Sequence, residues 1–292
     1  MKNVLLNFLK GFIVGASFRL PGISGGTIAI IIGCYNKLLH CLNNIFKEFR
    51  ESFKFLAVFG VGALVAFFAL NKLLIAVTDA IPAISAYFFV GLIIATFPTL
   101  FKESELKLRG TPPKKHTLNV LLFLIGAVLV VSLGILQNTV SFSALTGFGY
   151  YMFVLLAGFF GGIALVLPGI SFMFFLMVLG IDANFAQAVD NFDFAFLLPF
   201  AGALLLGIIA SAKVLYICIN RYKTATYLVI MGFLLGSAVL LLSTQKYVPA
   251  NGGEIGFCVL ALFLGMALVF SITYLAARLT RKRLPNAETV LQ

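Results

Sequence analysis

The chain has no tryptophan, only two histidines, and a thin scatter of charge, with Asp, Glu, Lys and Arg making up 11% of 292 residues. Each scarcity excludes something. His40 and His116 both fall in polar segments expected at the cytoplasmic surface, so an intramembrane histidine acid–base pair or metal site is not expected. The four cysteines (Cys34, Cys41, Cys218 and Cys258) lie in or near apolar stretches without close paired spacing, so neither a disulfide framework nor a zinc site is indicated. No GxxxxGK[ST] loop is present, so nothing points to a nucleotide motor. Buried carboxylate pairs are lacking too. The expectation is a protein that is not an enzyme and carries neither cofactor nor metal.

Acidic residues are half as frequent as basic ones, 10 against 21, for a net charge of +11. In a polar chain that balance would suggest nucleic acid. Here it is a topology signal, because apolar residues supply 61% of the sequence, including 32 phenylalanines. A single integral membrane domain over residues 1–292 is expected. Three apolar stretches in each half reach the roughly 20 residues that cross a bilayer. They are about 55–77, 82–101 and 118–136, then about 194–218, 226–244 and 255–277.

The chain also repeats itself. Residues 12–35 read FIVGASFRLPGISGGTIAIIIGCY and residues 159–182 read FFGGIALVLPGISFMFFLMVLGID. At an offset of 147, Phe12, Gly15, Leu20, Pro21, Gly22, Ile23, Ser24 and Gly33 meet Phe159, Gly162, Leu167, Pro168, Gly169, Ile170, Ser171 and Gly180. Fainter matches follow in the same order: Gly62-Ala63-Leu64 with Gly202-Ala203-Leu204, Gly91 with Gly232, Gly126 with Gly265 and Ser132 with Ser271. Two repeats are expected, 1–140 and 147–292. Lys2 and the apolar run after it imitate a signal peptide, but their recurrence marks them as retained structure.

Each copy is an apolar segment broken by Pro-Gly-Ile-Ser. Residues 12–35 could form one kinked span, or 4–18 and 23–35 could be the arms of a re-entrant hairpin. Arms of 13 to 15 residues reach roughly 20 Å, short of a core about 30 Å thick, and length leaves both open. Charge decides. With two hairpins, segments 1–10, 37–54, 102–117, 219–225 and 278–292 share a side and hold 17 of the 21 Lys and Arg, whereas the opposite loops hold only Lys246. The positive-inside rule then places both termini in the cytoplasm. The fold class expected is an all-α polytopic membrane protein of two inverted-topology repeats, each with one re-entrant helical hairpin and three transmembrane helices.

Broken apolar segments in corresponding places of two halves point to a transporter's substrate site. Pro21 has no N–H to donate, and Gly22, Gly25 and Gly26 leave the main chain open to close approach. Ser24 is placed to cap the helix that resumes near Thr27, leaving N–H groups that suit an anion. Pro168, Gly169 and Ser171 form the second tip. Arg19, two residues before the first break, costs ~2.5–3.5 kcal/mol in a membrane unless it faces a cavity or a partner, and its planar cation suits a phosphate. Its counterpart in the second copy is Val166. Lys72, near Asp79, and Lys213 are weaker charge partners, since both can snorkel. Asp182 is expected as a solvated carboxylate. Residues 37–54 set Leu38, Leu39, Leu42, Ile45, Phe46, Phe49 and Phe53 on one helical face, the pattern of an interfacial amphipathic helix or of a connector packed on the bundle.

PGISGGTIAIIIGCY, with a second PGIS and a later glycine half a chain on, resembles the polyprenyl-phosphate translocase family, also catalogued as domain of unknown function 368. The resemblance covers nearly the whole chain. Where the family has a small pair after the second PGIS and an aromatic after the later glycine, this chain has Phe172-Met173 and Asp182. The resemblance implies transport of undecaprenyl phosphate from the outer to the inner leaflet of the cytoplasmic membrane, recycling the carrier for cell-wall polymers. The partners are then the polyprenyl-phosphate lipid and membrane lipids, with no nucleic acid, and a homo-oligomer is left open. The residues alone also fit a transporter of a small soluble anion, whereas a lipid phosphatase would need a nucleophile or metal ligands near the phosphate, and neither break offers a histidine.

Overall fold

A computed structural model describes residues 2–19, 24–106, 113–136, 147–243 and 248–282. The described residues form twelve α-helices. Those of the first half are α1 (Lys2–Ala16), α2 (Gly25–Ile31), α3 (Tyr35–Asn43), α4 (Phe49–Ala80), α5 (Pro82–Glu103) and α6 (Pro113–Ile135), with a 3-10 turn at Ser17–Arg19. Those of the second are α7 (Gly147–Val166), α8 (Phe172–Val178), α9 (Asp182–Asp190), α10 (Phe194–Arg221), α11 (Lys223–Ser243) and α12 (Gly252–Lys282).

Seven of these helices are long and apolar enough to cross a membrane. This is a multi-pass, all-helical membrane protein. Six of the seven are the spans expected from the sequence. The seventh is α7, whose 20 residues rise about 30 Å. A short hairpin arm was expected there, but nothing in its sequence interrupts the helix before Pro168. Its counterpart α1 has 15 residues.

The expected helix over 37–54 is not continuous. α3 ends at Asn43, residues 44–48 turn, and Phe49 already begins α4. The Asn44 N–H makes the last helical bond of α3, to the His40 carbonyl at 2.9 Å, and the Asn44 side-chain amide turns back to the His40 ring at 3.0 Å. α3 packs against α10 and α4 as a connector on the bundle, while Phe46, Phe49 and Phe53 stay exposed.

Close backbone approach at glycine organises the bundle. A Cβ on Gly11 or Gly15 of α1 would lie 1.9 Å from the Phe59 carbonyl oxygen or 2.1 Å from that of Ala63 on α4. At Gly158 and Gly162 of α7, 147 residues on, the carbonyls of Phe200 and Leu204 on α10 stand at 2.4 and 2.1 Å. Both helix pairs therefore run parallel. The remaining long helices pair across the halves: α5 lies on α12 and α6 on α11. A Cβ on Gly91 would lie 2.1 Å from the Leu262 carbonyl oxygen and one on Gly265 2.2 Å from that of Phe88 in one crossing, and in the other a Cβ on Gly232 or Gly126 would lie 2.1 Å from the Phe123 oxygen or 2.5 Å from that of Val229. Small residues at these crossings let dispersion contacts and backbone proximity hold helices in lipid, where no hydrophobic drive does so. One sequence match is displaced by this packing. A Cβ on Gly62 would lie 2.2 Å from the Phe8 carbonyl oxygen, but one on its expected partner Gly202 would meet nothing within 4 Å, because Phe59 and Phe200 are the equivalent contacts.

The turns after the breaks also recur. Gly33 and Gly180 adopt φ +66° and +67°. In each, the following N–H reaches back five residues, Cys34 to the Ala29 carbonyl (2.9 Å) and Ile181 to that of Leu176 (3.1 Å). Both are Schellman caps, which need a left-handed residue where glycine carries no Cβ penalty.

Several basic segments meet at one end of the bundle. The Thr224 hydroxyl donates to the Ser104 carbonyl at 2.8 Å, and Lys223 Nζ pairs with Glu105 Oε1 at 2.6 Å, tying the end of α5 to the α10–α11 turn. Val4 and Asn7 share a cavity with Lys37 and Lys54 at the same end, beside His40.

Candidate functional site

Ser24 and the start of α2, which follow the first break, abut the second. Six of the seven residues of α2 are buried, and its N-terminus points at the turn that ends α7. Ser24 caps α2, its hydroxyl oxygen accepting the Thr27 N–H at 3.1 Å. Ser24 Oγ and Thr27 Oγ1 lie 2.9 Å apart. The Gly169 N–H, 145 residues downstream, donates to both oxygens, at 3.0 and 3.1 Å. All three residues are buried.

Lone-pair arithmetic orients this cluster. Ser24 Oγ already accepts from Thr27 and Gly169, which uses its two lone pairs, so its own O–H is the donor to Thr27 Oγ1. The hydroxyl pair thus presents two oxygens to one backbone N–H, as a phosphate would. In this arrangement the groups expected to bind phosphate satisfy one another.

Gly169 is fixed from its other side as well. Its φ is +90°, and its carbonyl accepts from the Ser237 hydroxyl of α11. A Cβ there would lie 2.8 Å from the Leu234 nitrogen and 2.8 Å from the Phe233 Cβ. Gly26 supplies the matching gap on α2, where a Cβ would stand 2.7 Å from the Val166 carbonyl oxygen and 3.0 Å from the Pro168 nitrogen. The glycines expected to admit a phosphate here admit the backbone of the other break.

Tyr35 completes the junction. Its hydroxyl donates to the Val166 carbonyl at 3.0 Å, a group that the break at Pro168 leaves without its helical partner. Replacing Tyr35 with Phe should leave that buried carbonyl unpaired and cost about 1–2 kcal/mol, read as a lower unfolding temperature in detergent at unchanged helix content.

The other expected site residues distribute unevenly. Gly25 lies in α2 against the Phe18 ring. Ser171 is buried at the N-cap position of α8 but does not cap that helix. Thr27 has Phe174 as its counterpart, so the second break has no matching hydroxyl pair. Lys213 is exposed on α10, and Asp182 is half-buried in the first turn of α9. Pro21 and Gly22 lie outside the described residues, as do the side chains of Arg19 and Lys72. Sequence reasoning assigned no role to Tyr35 or Ser237. The signal for Ser237 is a lone hydroxyl beside Gly236 in an apolar span, and for Tyr35 an aromatic at the position where the second copy has Asp182.

α2 has only two turns, so its macrodipole is small and the individual N–H and O–H groups carry the polarity of the site. Among the described residues, no group of three or more His, Cys, Asp or Glu is placed to hold a metal ion.

Comparison with known proteins agrees with the resemblance carried by the motifs. The chain is 31% identical over 252 residues to a polyprenyl-phosphate transporter of Vibrio cholerae serotype O1, covering 80% of this chain and 76% of the relative. It is also 31% identical over 246 residues to a polyprenyl-phosphate transporter of Staphylococcus aureus, covering 80% of this chain and 84% of the relative. No solved structure matches it. The family model described as undecaprenyl phosphate translocase-like matches residues 13–256, which include both breaks and all the junction residues, and the chain belongs to that family.

Proposed function

We propose that this protein carries a polyprenyl phosphate, undecaprenyl phosphate in particular, from the outer to the inner leaflet of the cytoplasmic membrane, returning the carrier for reuse in cell-wall polymers. The observation that carries the proposal is the Gly169 N–H held by Ser24 and Thr27 at a buried meeting of the two breaks. A phosphate oxygen is a stronger acceptor than a neutral hydroxyl. On entering between the breaks it takes the Gly169 N–H, leaves the Ser24 and Thr27 hydroxyls as donors, and separates the tips. Arg19 adds charge from the first copy alone. The tail stays in the bilayer against the exposed apolar faces of the long helices.

The two halves, 1–140 and 147–292, act as inverted repeats whose breaks are the tips of re-entrant hairpins, and rocking of one half on the other gives alternating access. The recurring glycine contacts and the Schellman caps support this symmetry. The clustering of 17 of the 21 Lys and Arg in segments assigned to one side supports cytoplasmic termini. A single chain supplies both tips, one from each repeat, and the work is transport rather than catalysis.

The test is a proteoliposome assay in which a phosphatase in the external medium reports undecaprenyl phosphate arriving from the lumenal leaflet. Thr27→Val keeps the shape and removes the hydroxyl, and the rate is expected to fall about tenfold or more, with Thr27→Ser close to wild type. A full rate in Thr27→Val would remove the junction from the mechanism. Uptake of inorganic phosphate without lipid movement would instead make this a transporter of a soluble anion.

A further inference from the structure

A second polar enclosure lies where α3, α5, α10 and α11 meet, at the bundle end tied by the Lys223–Glu105 pair. It is a cavity of ≈ 350 Å³ whose lining includes Asn36, His40, Glu103, Asn220, Lys223 and Tyr227. Consecutive residues of α3 serve the cavity and the junction. Asn36 lines the cavity, while Tyr35 before it holds the Val166 carbonyl beside Gly26. Tyr227, on the cavity wall, belongs to the same buried cluster as Tyr35.

We propose that this cavity is a second phosphate-binding position, taking the phosphate monoester of the lipid carrier or free inorganic phosphate on the far side of Tyr35 from the junction. The lipid source rests on the function proposed above; the anion chemistry does not. Lys223 is the cation of the site. Its partner Glu105 is 70% exposed, and surface ion pairs of this kind are weak enough to exchange for a phosphate. The Asn36 amide, the Tyr227 hydroxyl and the second N–H of the Asn220 amide, whose first donates to the Tyr216 carbonyl at 2.9 Å, supply neutral donors. Glu103 is the one carboxylate among the described lining residues, and its repulsion keeps the site weak. Weakness suits a place of transit, where a ligand must leave as readily as it enters. For the lipid, the Tyr35–Val166 hydrogen bond is then the barrier between the two positions.

Two substitutions in the same cavity give opposite signs. Binding of undecaprenyl phosphate, undecaprenol and inorganic phosphate to the full chain would be measured by native mass spectrometry, in wild type, Lys223→Gln and Glu103→Gln, each with and without Thr27→Val. Lys223→Gln should weaken phosphate binding about two- to fivefold and Glu103→Gln strengthen it by a similar factor, in both backgrounds, with undecaprenol unaffected. Matching unfolding temperatures would show that all variants are folded. Neutral effects of both substitutions, or reversed signs, overturn the proposal, reversed signs marking a cation site. Opposite-signed responses to inorganic phosphate in a protein that binds no lipid phosphate would keep the cavity as a free-phosphate site while removing the transport function. Lipid-phosphate binding that depends on Thr27 but on neither cavity residue would do the reverse.

Discussion

Gly169→Ala should abolish lipid-phosphate transport and destabilise the protein by about 3 kcal/mol. Two costs combine. At φ +90° an L side chain is strained, a penalty of about 1–3 kcal/mol. The new methyl would also sit 2.8 Å from the Leu234 nitrogen and 3.0 Å from the Phe233 carbonyl carbon, rigid backbone that has to shift. Any shift moves the N–H off Ser24 and Thr27 and the carbonyl off Ser237, so the junction and the α11 contact fail together. Gly33→Ala separates the two costs, because φ is +66° there but nothing lies within 4 Å of the added methyl. Unfolding in detergent should show roughly 1 kcal/mol for Gly33→Ala, with transport largely retained. Equal losses in the two variants would mean that Gly169 contributes only its dihedral angle.

The second large effect is expected at the helix crossings. Gly232→Ala puts a methyl 2.1 Å from the Phe123 carbonyl oxygen and 2.9 Å from the Ala127 nitrogen, which forces α11 and α6 apart. A loss of about 1–3 kcal/mol should follow, and Gly91→Ala should behave alike where α5 crosses α12 at Leu262. Gly202→Ala should do the opposite. It is exposed on α10 with nothing within 4 Å, so only helix propensity acts, raising stability by up to about 1 kcal/mol. Thermal unfolding of the three variants checks the prediction, and a destabilised Gly202→Ala would mean that α10 packs differently from the arrangement described.

That contrast shows where sequence reading reached its limit. Gly91, Gly202 and Gly232 look alike as letters in apolar runs, and matching them by offset paired Gly62 with Gly202. Which face a glycine presents depends on which helix lies against it, a long-range fact. For the same reason the exchange of helices between halves, α5 with α12 and α6 with α11, was not legible, whereas the six spans were, because hydropathy over about 20 residues is local. α7 was underestimated because the break at Pro168 marks where a helix stops and says nothing of where it begins. The helix expected over 37–54 is interrupted because the apolar periodicity runs on across Asn43 and Asn44, residues of low helix propensity whose side chains bond to each other and to the His40 ring.

By itself the sequence determined that this is a membrane protein, that it says one phrase twice, and that the polar chemistry of that phrase sits at Pro-Gly-Ile-Ser. These follow from composition and short-range pattern. Only the tertiary structure decided that the two phrases touch, that Ser24 and Thr27 hold the Gly169 N–H, and that Tyr35 and Ser237 secure the carbonyls of Val166 and Gly169. The physical reason is that a buried backbone N–H or carbonyl must find a partner, and with the local helix broken it finds one wherever packing brings it, here 131 and 145 residues away along the chain.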